Sequence, residues 1–226
     1  PFVIDKTKGI KIIEKNVLTE KQKLYLFLLI ASSLNFFKEI KDELTSDFEI
    51  LSENILQTFL PTNAKVFGFG SNTKFTGNAQ EKIKKLANEI NIQYCERIVS
   101  QISVNNSKEE GLDLIGWIPF EDNNPNTIII LGQCACGKDW FNKQNETLRY
   151  DRFYSPYLLP FIHAMFLSGD FNNNNGVFGF DKDLNFNHLV FERRRLINLA
   201  KPNTIDNLKY TNIIIKKSID FVEDIV

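Results

Sequence analysis

The stretch Gly111–Trp140, GLDLIGWIPFEDNNPNTIIILGQCACGKDW, is predicted to form the centre of the fold. It contains two apolar runs, Leu112–Phe120 and Thr127–Leu131 with its continuation to Cys136, separated by the hydrophilic segment Glu-Asp-Asn-Asn-Pro-Asn. Runs rich in Ile, Leu and Trp are typical of strands that pack on both faces, and a polar connection containing Asn and Pro suits a hairpin loop. The sequence therefore predicts two adjacent antiparallel strands at the centre of a sheet.

Two polar residues interrupt this apolar hairpin, Asp113 near the start of the first strand and Gln133 near the end of the second. A carboxylate next to a buried strand is costly unless something pairs with it. Because an antiparallel hairpin sets the start of one strand beside the end of the other, we expect Asp113 and Gln133 to be neighbours. Two such oxygen-bearing side chains at one end of a sheet are the arrangement expected for ligands of one metal ion.

Length and composition restrict the class of protein. The 226 residues, of which 43% are hydrophobic and 24% charged, fit one large domain or one domain with an extension. A formal net charge of −1 does not indicate nucleic-acid binding, so local basic clusters must meet any anionic partner. Three cysteines, no signal peptide and a longest apolar run, Leu24–Leu34, of about half a membrane span predict a soluble, cytoplasmic protein that does not enter a membrane.

The first part of the chain has a helical pattern. Thr19 is a suitable N-cap for a helix that runs to about Phe37, and a second helix is predicted over Phe48–Phe59, ended by Pro61. Residues 1–62 are therefore predicted to form a helical N-terminal extension, and residues 63–226 a second unit. The two helices have two open interpretations, simple packing around the sheet or an arm that binds a partner.

Residues 63–226 alternate between strand-like and helix-like segments, which predicts an α/β domain. Strands are predicted at Ala64–Phe69, Tyr157–Phe166 and Asn187–Phe191, and helices over Asn78–Ile90, from Gly137 to about Leu148, and from Glu192 onward. The pattern of Gln93–Ile102 does not decide between helix and strand.

An acid on one strand, followed on the next strand by an acid or amide and a lysine two residues later, is the PD-(D/E)XK nuclease arrangement. Cleavage of a phosphodiester by such a site needs Mg²⁺ held by carboxylate and backbone oxygens, and a lysine that neutralises the developing negative charge. Positions 133 and 135 face the same side of a strand, but position 135 is Ala. Lys138 is the nearest basic residue, and its long, flexible stem can bring the ammonium back toward the hairpin.

Four segments carry a wider resemblance: FGFGSNTKFTGNAQEKIKKLA, GLDLIGWIPF, LGQCACGKDW and LVFERRRLINL. Over roughly residues 65–200 the sequence resembles PD-(D/E)XK-type restriction and phage-defence nucleases of bacteria. The resemblance implies a restriction-endonuclease-like α/β fold with a mixed central sheet flanked by helices. It also implies cleavage of DNA with Mg²⁺ (or Mn²⁺), an antiviral role, and work with a protein partner or as a homo-oligomer in a defence complex.

The resemblance assigns a role to each residue of the site. Asp113 is the main metal ligand, Gln133 replaces the usual second acid, and the main-chain carbonyl of Cys134 completes the metal ligands. Lys138 is a displaced motif lysine, and Glu81, on the preceding helix, is the extra acid that such folds often have. Glutamine weakens the metal site by one charge, and the alanine two positions later removes the usual lysine. These departures leave open a catalytically lapsed nuclease fold that binds nucleic acid or serves as an assembly subunit.

Five arginines are candidates for contact with DNA phosphates, because a guanidinium binds phosphate through two parallel hydrogen bonds. They are Arg149, Arg152, Arg193, Arg194 and Arg195. The alternative is a solvated helix face paired with Asp or Glu.

Each of these site residues also has an alternative, purely structural interpretation. Asp113 also suits a turn-stabilising aspartate after Gly111, and Gln133 suits a buried amide that satisfies backbone groups. Cys134 and Cys136 face the side opposite Gln133 by strand alternation, and they form either a zinc site with His163 and His188 or simply buried thiols.

Overall fold

A computed structural model describes residues 2–5, 9–12, 18–70, 74–108, 110–122, 124–137, 140–154, 159–171 and 187–220. The strands in chain order are β1 (Phe2–Asp5), β2 (Gly9–Ile12), β3 (Lys65–Gly68), β4 (Leu114–Trp117), β5 (Ile129–Ala135), β6 (Ile162–Leu167) and β7 (His188–Phe191). The helices are α1 (Glu20–Ser32), α2 (Lys41–Phe59), α3 (Ala79–Glu89), α4 (Glu96–Val99), α5 (Trp140–Lys143), α6 (Tyr150–Phe153), α7 (Arg193–Leu199) and α8 (Thr211–Asp220). Within this described part of the chain, every helix is too short or too polar to cross a bilayer.

The central sheet is mixed and has the strand order β3-β4-β5-β6-β7. β3, β4 and β5 form an antiparallel meander, whereas β6 and β7 continue the sheet parallel to β5. β1 and β2 form a separate antiparallel pair. The prediction of an α/β fold with a mixed central sheet flanked by helices is confirmed.

The predicted hairpin is also confirmed. β4 pairs antiparallel with β5, and Leu114 lies opposite Gly132. All residues of both strands are buried, as expected for the middle of a sheet covered on two faces.

Each face of the sheet packs on a different group of helices. On one face, Leu114, Ile130 and Cys134 join a core formed with α1, α2, α7 and α8. On the other face, Ile115 and Leu131 pack against α3 and α6. We call these the α2 face and the α3 face. The alternation of neighbouring residues between the two faces follows from the pleat of the strands.

Close packing of α2 on the sheet depends on a glycine in β4. A Cβ atom at Gly116 would lie 3.0 Å from Leu60 Cδ1 and 3.2 Å from Leu56 Cδ2. A side chain here would require these leucine side chains to shift by a few tenths of an ångström, so glycine permits the close approach of helix and strand. The expected boundary near residue 62 consequently separates elements that share one hydrophobic core.

The first helix begins as predicted. Thr19 is its N-cap, and its hydroxyl accepts from the backbone N–H of Gln22 while the Gln22 side chain accepts from the Thr19 N–H. The second helix, α2, begins at Lys41 rather than Phe48, because its first two turns, KDELTSD, carry few apolar residues to mark them.

A buried aspartate of α2 caps a helix at the other end of the chain. Asp47 is fully buried, and its Oδ2 accepts from the backbone N–H groups of Tyr210 and Thr211 at 2.8 and 2.7 Å. Its Oδ1 accepts from the Lys209 N–H at 3.0 Å, and the Thr211 hydroxyl adds a fourth bond at 2.7 Å. The carboxylate thus satisfies donors at the start of α8 and joins α8 to α2.

We expect Asp47→Ala to lower the free energy of unfolding by about 3 kcal/mol, because it leaves several buried N–H groups without an acceptor. Denaturant unfolding measures the change. Asp42→Ala is the matched control, since Asp42 is exposed in the first turn of the same helix. Equal stability of the two variants would contradict the capping role.

Candidate active site

Asp113 and Gln133 meet at the end of the central hairpin. The Asp113 N–H donates to the Gly132 carbonyl at 3.0 Å, which extends the β4–β5 ladder by one residue. The Gln133 Nε2 donates to Asp113 Oδ2 at 2.7 Å. The prediction that these two side chains are neighbours is confirmed.

The same carboxylate oxygen has a second donor. The backbone N–H of Cys134 donates to Asp113 Oδ2 at 2.7 Å. Hydrogen bonds to a charged acceptor are among the stronger ones in proteins, and they offset the cost of placing a carboxylate beside buried strands. Asp113 is therefore held in one orientation by both the side chain and the backbone of β5.

The other end of the Gln133 amide is unsatisfied. Gln133 is 2% exposed, and its Oε1 is buried without a hydrogen-bond partner among the described residues. Rotating the amide would set its oxygen against the Asp113 carboxylate, so the nitrogen must face Asp113. A buried acceptor without a partner is rare in proteins and is expected where a water or an ion completes it.

Two acids of α2 lie at this end of the sheet, and the sequence interpretation missed both. Burial raises the pKa of Cys134 well above its ordinary value, and the negative charges of Asp113 and Glu49 raise it further. Glu53 lies by the end of β3: burial raises its pKa, and a hydrogen bond from the Gly68 backbone opposes that rise. Glu49 and Glu53 are four residues apart and thus share one face of the helix. The spacing of the two acids, one helical turn apart, is the signal that could have found them.

A lysine reaches the hairpin end from α5. The Lys143 Nζ donates to the Cys134 carbonyl oxygen at 3.4 Å, which is the carbonyl predicted to bind the metal. Burial raises the pKa of Cys136 to about 12, and the positive charge of Lys143 opposes that rise. Lys138, the lysine predicted for this role, lies outside the described residues. Lys143 therefore brings an ammonium to this end of the hairpin.

The zinc interpretation of the cysteines and histidines is wrong. Cys134 packs on the α2 face, where its thiol forms a hydrogen bond with Ser52. His163 lies beside Leu131 in register and therefore faces the opposite side of the sheet. Burial keeps the Cys134 thiol protonated, which suits a packing role and not a metal ligand or nucleophile. In the part of the chain that is described, no three His, Cys, Asp or Glu side chains are grouped to hold a metal.

Glu81 stabilises its own helix. Its carboxylate accepts from the Asn78 backbone N–H at 3.1 Å, and the Asn78 side chain accepts from the Glu81 N–H at 3.0 Å. This capping box accounts for an acid at the start of α3. The role of Glu81 as an additional catalytic acid stays a prediction.

Arg193 is directed into the protein. It is 8% exposed, its Nε donates to the Ser168 carbonyl at 2.9 Å, and a terminal nitrogen donates to Ser32 Oγ at 2.9 Å. Its guanidinium also lies over the ring of Tyr25. Arg193 thus fastens α1 and α7 to the end of β6 through its Nε–H and one terminal N–H.

The remaining arginines do not form one basic surface. Arg194 and Arg195 are exposed on α7, which packs on the α2 face through Leu196. Arg149 and Arg152 are exposed beside Tyr150 and Phe153, which pack on the α3 face. The two pairs lie on opposite sides of the sheet. They offer two separate places for an anionic partner.

Two buried histidines occupy neighbouring positions of β6 and β7. The ring centroids of His163 and His188 are 5.6 Å apart. His163 contacts Thr147 Oγ1 at 3.0 Å through Nδ1 and Asp151 Oδ1 at 3.3 Å through Nε2. Both ring nitrogens of His188 are buried, and no described residue is their hydrogen-bond partner; the Gln144 backbone lies near the ring but not in hydrogen-bonding geometry.

Burial lowers the pKa of both histidines below the ordinary value of 6.5, and for His188 the neighbouring His163 lowers it further. The unfolded chain therefore takes up these protons first as the pH falls. The stability that the two neutral histidines contribute is fully present above about pH 6.5 and is lost as the pH falls below it.

We expect His188→Leu to leave stability near pH 7.5 unchanged or to raise it by about 1 kcal/mol, because it removes two unsatisfied nitrogens. The loss of stability between about pH 7 and pH 5 becomes shallower, since one linked proton is gone. Denaturant unfolding across that range measures both effects. His163→Leu is the comparison variant: it loses the Thr147 and Asp151 contacts and should be destabilised near pH 7.5. An unchanged pH dependence in His188→Leu would contradict the assignment.

Comparison with known proteins leaves the family of this chain open. No protein-family model, no curated protein and no solved structure matches it. The arrangement of Asp113, Gln133, Lys143 and the two α2 acids is thus the basis on which a function can be argued.

Proposed function

We propose that the chain is a Mg²⁺-dependent nuclease that acts on DNA, as the resemblance to defence nucleases implies, with its active site at the end of the β4–β5 hairpin. The observation that carries the proposal is the buried, unpartnered Oε1 of Gln133 beside the Asp113 carboxylate. An uncompensated oxygen next to an acid is expected where a cation belongs to the working state.

The donor atoms at this site suit Mg²⁺. Asp113 and Gln133 supply oxygen donors, and Glu49 adds negative charge nearby. Mg²⁺ prefers oxygen, keeps several of its waters, and is usually bound through one or two carboxylates rather than by a full protein cage. Metals that prefer thiolates are disfavoured, because the neighbouring cysteines are held in the protonated form.

Asp113, Gln133 and the Cys134 carbonyl would hold the ion. When bound, Mg²⁺ supplies a polarised phosphoryl oxygen and a more acidic water. The Cys134 N–H and the Gln133 amide orient the Asp113 carboxylate. The Lys143 ammonium would offset the negative charge that develops on the phosphate.

One of the two exposed arginine pairs lies at the same end of the sheet as the proposed active site. β5, β6 and β7 are parallel, so the carboxyl ends of all three point the same way. Gln133 lies near the end of β5, and α7 begins directly after β7, with the Arg193 N–H bonded to the Gly169 carbonyl just beyond β6. Arg194 and Arg195 are therefore the better candidates to contact the DNA backbone. Arg149 and Arg152 belong to the crossover that leads to the opposite end of β6.

A second function, a catalytically lapsed nuclease fold that binds nucleic acid or acts as an assembly subunit, has one specific observation in its favour. The Gln133 Nε2–Asp113 hydrogen bond satisfies the carboxylate without a cation. Since an amide can donate to Asp113 and a second acid cannot, Gln133 lets this end of the sheet fold in the absence of metal. The two functions differ in what Mg²⁺ does to the protein.

We expect plasmid and linear DNA to be cut in Mg²⁺ or Mn²⁺ and not in EDTA. Asp113→Ala removes a metal ligand and should abolish cutting, and Lys143→Ala should slow it by about a hundredfold, as the loss of one charge-stabilising donor does. Lys216→Ala is the matched control, because Lys216 is an exposed lysine of α8. Gel assays of initial rate measure all four proteins. Metal-dependent cutting that survives in Asp113→Ala would refute the site.

The Gln133→Glu variant tests the metal without requiring activity. In EDTA we expect a lower melting temperature than in the wild type, because two carboxylates are then adjacent. Added Mg²⁺ should raise the melting temperature more in the variant than in the wild type, since the second charge tightens binding to the folded state. Gln101→Glu, at an exposed position, is the control. The same Mg²⁺ response in the Gln133 and Gln101 variants would favour the lapsed fold.

A further inference from the structure

A groove of about 860 Å³ opens between the connection of α1 to α2 and the start of α8. The connection consists of two short 3₁₀ turns, Leu34–Phe36 and Lys38–Ile40. The apolar part of the groove lining is formed by Phe36, Phe37, Ile40, Tyr210, Ile213 and Ile214. Several of these side chains also pack on the core of the α2 face, so the groove is an outward extension of that core.

Two apolar side chains of the groove remain in contact with solvent. Phe36 is 85% exposed and Ile213 is 57% exposed. Their neighbours in the chain differ, because Phe37 is partly buried against the core and Ile214 is 4% exposed. Exposed apolar side chains grouped at one groove are typical of a surface that another molecule covers.

The charged side chains of the groove lining are two lysines and two glutamates, Lys38, Lys217, Glu39 and Glu43. None of the four forms a salt bridge with another described residue. Equal numbers of the two signs give no net attraction for a nucleic-acid backbone or an anionic lipid surface, each of which attracts an excess of Lys and Arg. The lining therefore favours a protein surface that also presents both signs.

This surface is complementary to a second copy of itself. A twofold interface brings the same patch of two chains together, so every projection needs a recess in that patch and every charge needs an opposite charge. The patch has both, since the exposed Phe36 ring stands at the groove and side chains of both signs line it. A patch built for an unrelated partner has no need to contain both members of each pair.

We propose that two copies of this chain form a twofold dimer through this groove. The Phe36 ring of each copy enters the groove of the other copy. The two lysines of each groove then face the two glutamates of the other. The dimer does not depend on the proposed nuclease activity, because none of these side chains belongs to the candidate active site.

Sedimentation equilibrium of the whole chain over a range of concentrations measures the dimer. We expect twice the mass of one chain at high concentration and dissociation on dilution. Phe36→Ser should raise the dissociation constant of the dimer about tenfold, since it removes the projecting ring. Because Phe36 is exposed, this change leaves the core intact. Phe120→Ser is the matched control and should behave as the wild type does, because Phe120 is 69% exposed in the β4–β5 connection, outside the groove lining.

An exchange of charges tests whether the partner is a second copy. Lys38→Glu combined with Lys217→Glu gives a groove lined by acids, and Glu39→Lys combined with Glu43→Lys gives one lined by lysines. Each double variant should be monomeric alone, because like charges meet across the interface. An equimolar mixture should form a heterodimer, because opposite charges then meet. Native mass spectrometry distinguishes the heterodimer from either homodimer.

Three outcomes would overturn the dimer. They are a wild type that stays monomeric at every concentration, a dimer that Phe36→Ser leaves unchanged, and double variants that do not associate when mixed. A monomer that binds a labelled nucleic-acid strand, and loses it when Lys38 and Lys217 become glutamate, would identify a nucleic-acid surface instead. The mass measurements contain neither metal nor DNA, so their result is independent of the proposed nuclease activity.

Discussion

The close packing of α2 on β4 at Gly116 links the stability of the fold to the candidate site. With no side chain at that position, Leu56 and Leu60 seat the helix directly on the sheet. One helix then performs two tasks: Asp47 caps α8 from inside the core, and Glu49 brings negative charge to the end of the central hairpin. Fold stability and the candidate chemistry therefore share one packing contact. A change that moved α2 outward would weaken both.

Strand alternation separates reactive groups that are adjacent in sequence. Cys134 faces α2, where burial keeps its thiol protonated, and Gln133 faces the other side beside Met165. The Cys134 backbone still takes part in the site, because its N–H binds Asp113 and its carbonyl accepts from Lys143. A residue whose side chain is inert thus contributes through its main chain. This explains how a cysteine is tolerated at the centre of an arrangement built from oxygen donors.

The sequence predicted the features that depend on neighbouring residues, and it did not predict those that depend on contacts between distant parts of the chain. The Thr19 and Asn78 caps and the Asp113–Gln133 pair follow from neighbouring residues or from the geometry of one hairpin, and they lie where the sequence indicates. The start of α8 has no such local signal, because its capping carboxylate, Asp47, is 164 positions away from Thr211. The sequence did not indicate Lys143 for a similar reason. Lys143 approaches β5 from the short helix α5, and the spacing of residues along a strand does not predict that contact.

Gln133 has different consequences for folding and for function. Glutamate at this position would bind Mg²⁺ more strongly, yet without metal it would repel Asp113 at the end of a buried sheet. Glutamine replaces that repulsion with a 2.7 Å hydrogen bond and leaves its Oε1 unsatisfied. The hairpin end is thereby stable without a metal, and Oε1 is the atom that the proposed cation would complete. Under the proposed function, such a centre would bind Mg²⁺ more weakly than a pair of acids would, because it has one negative charge fewer.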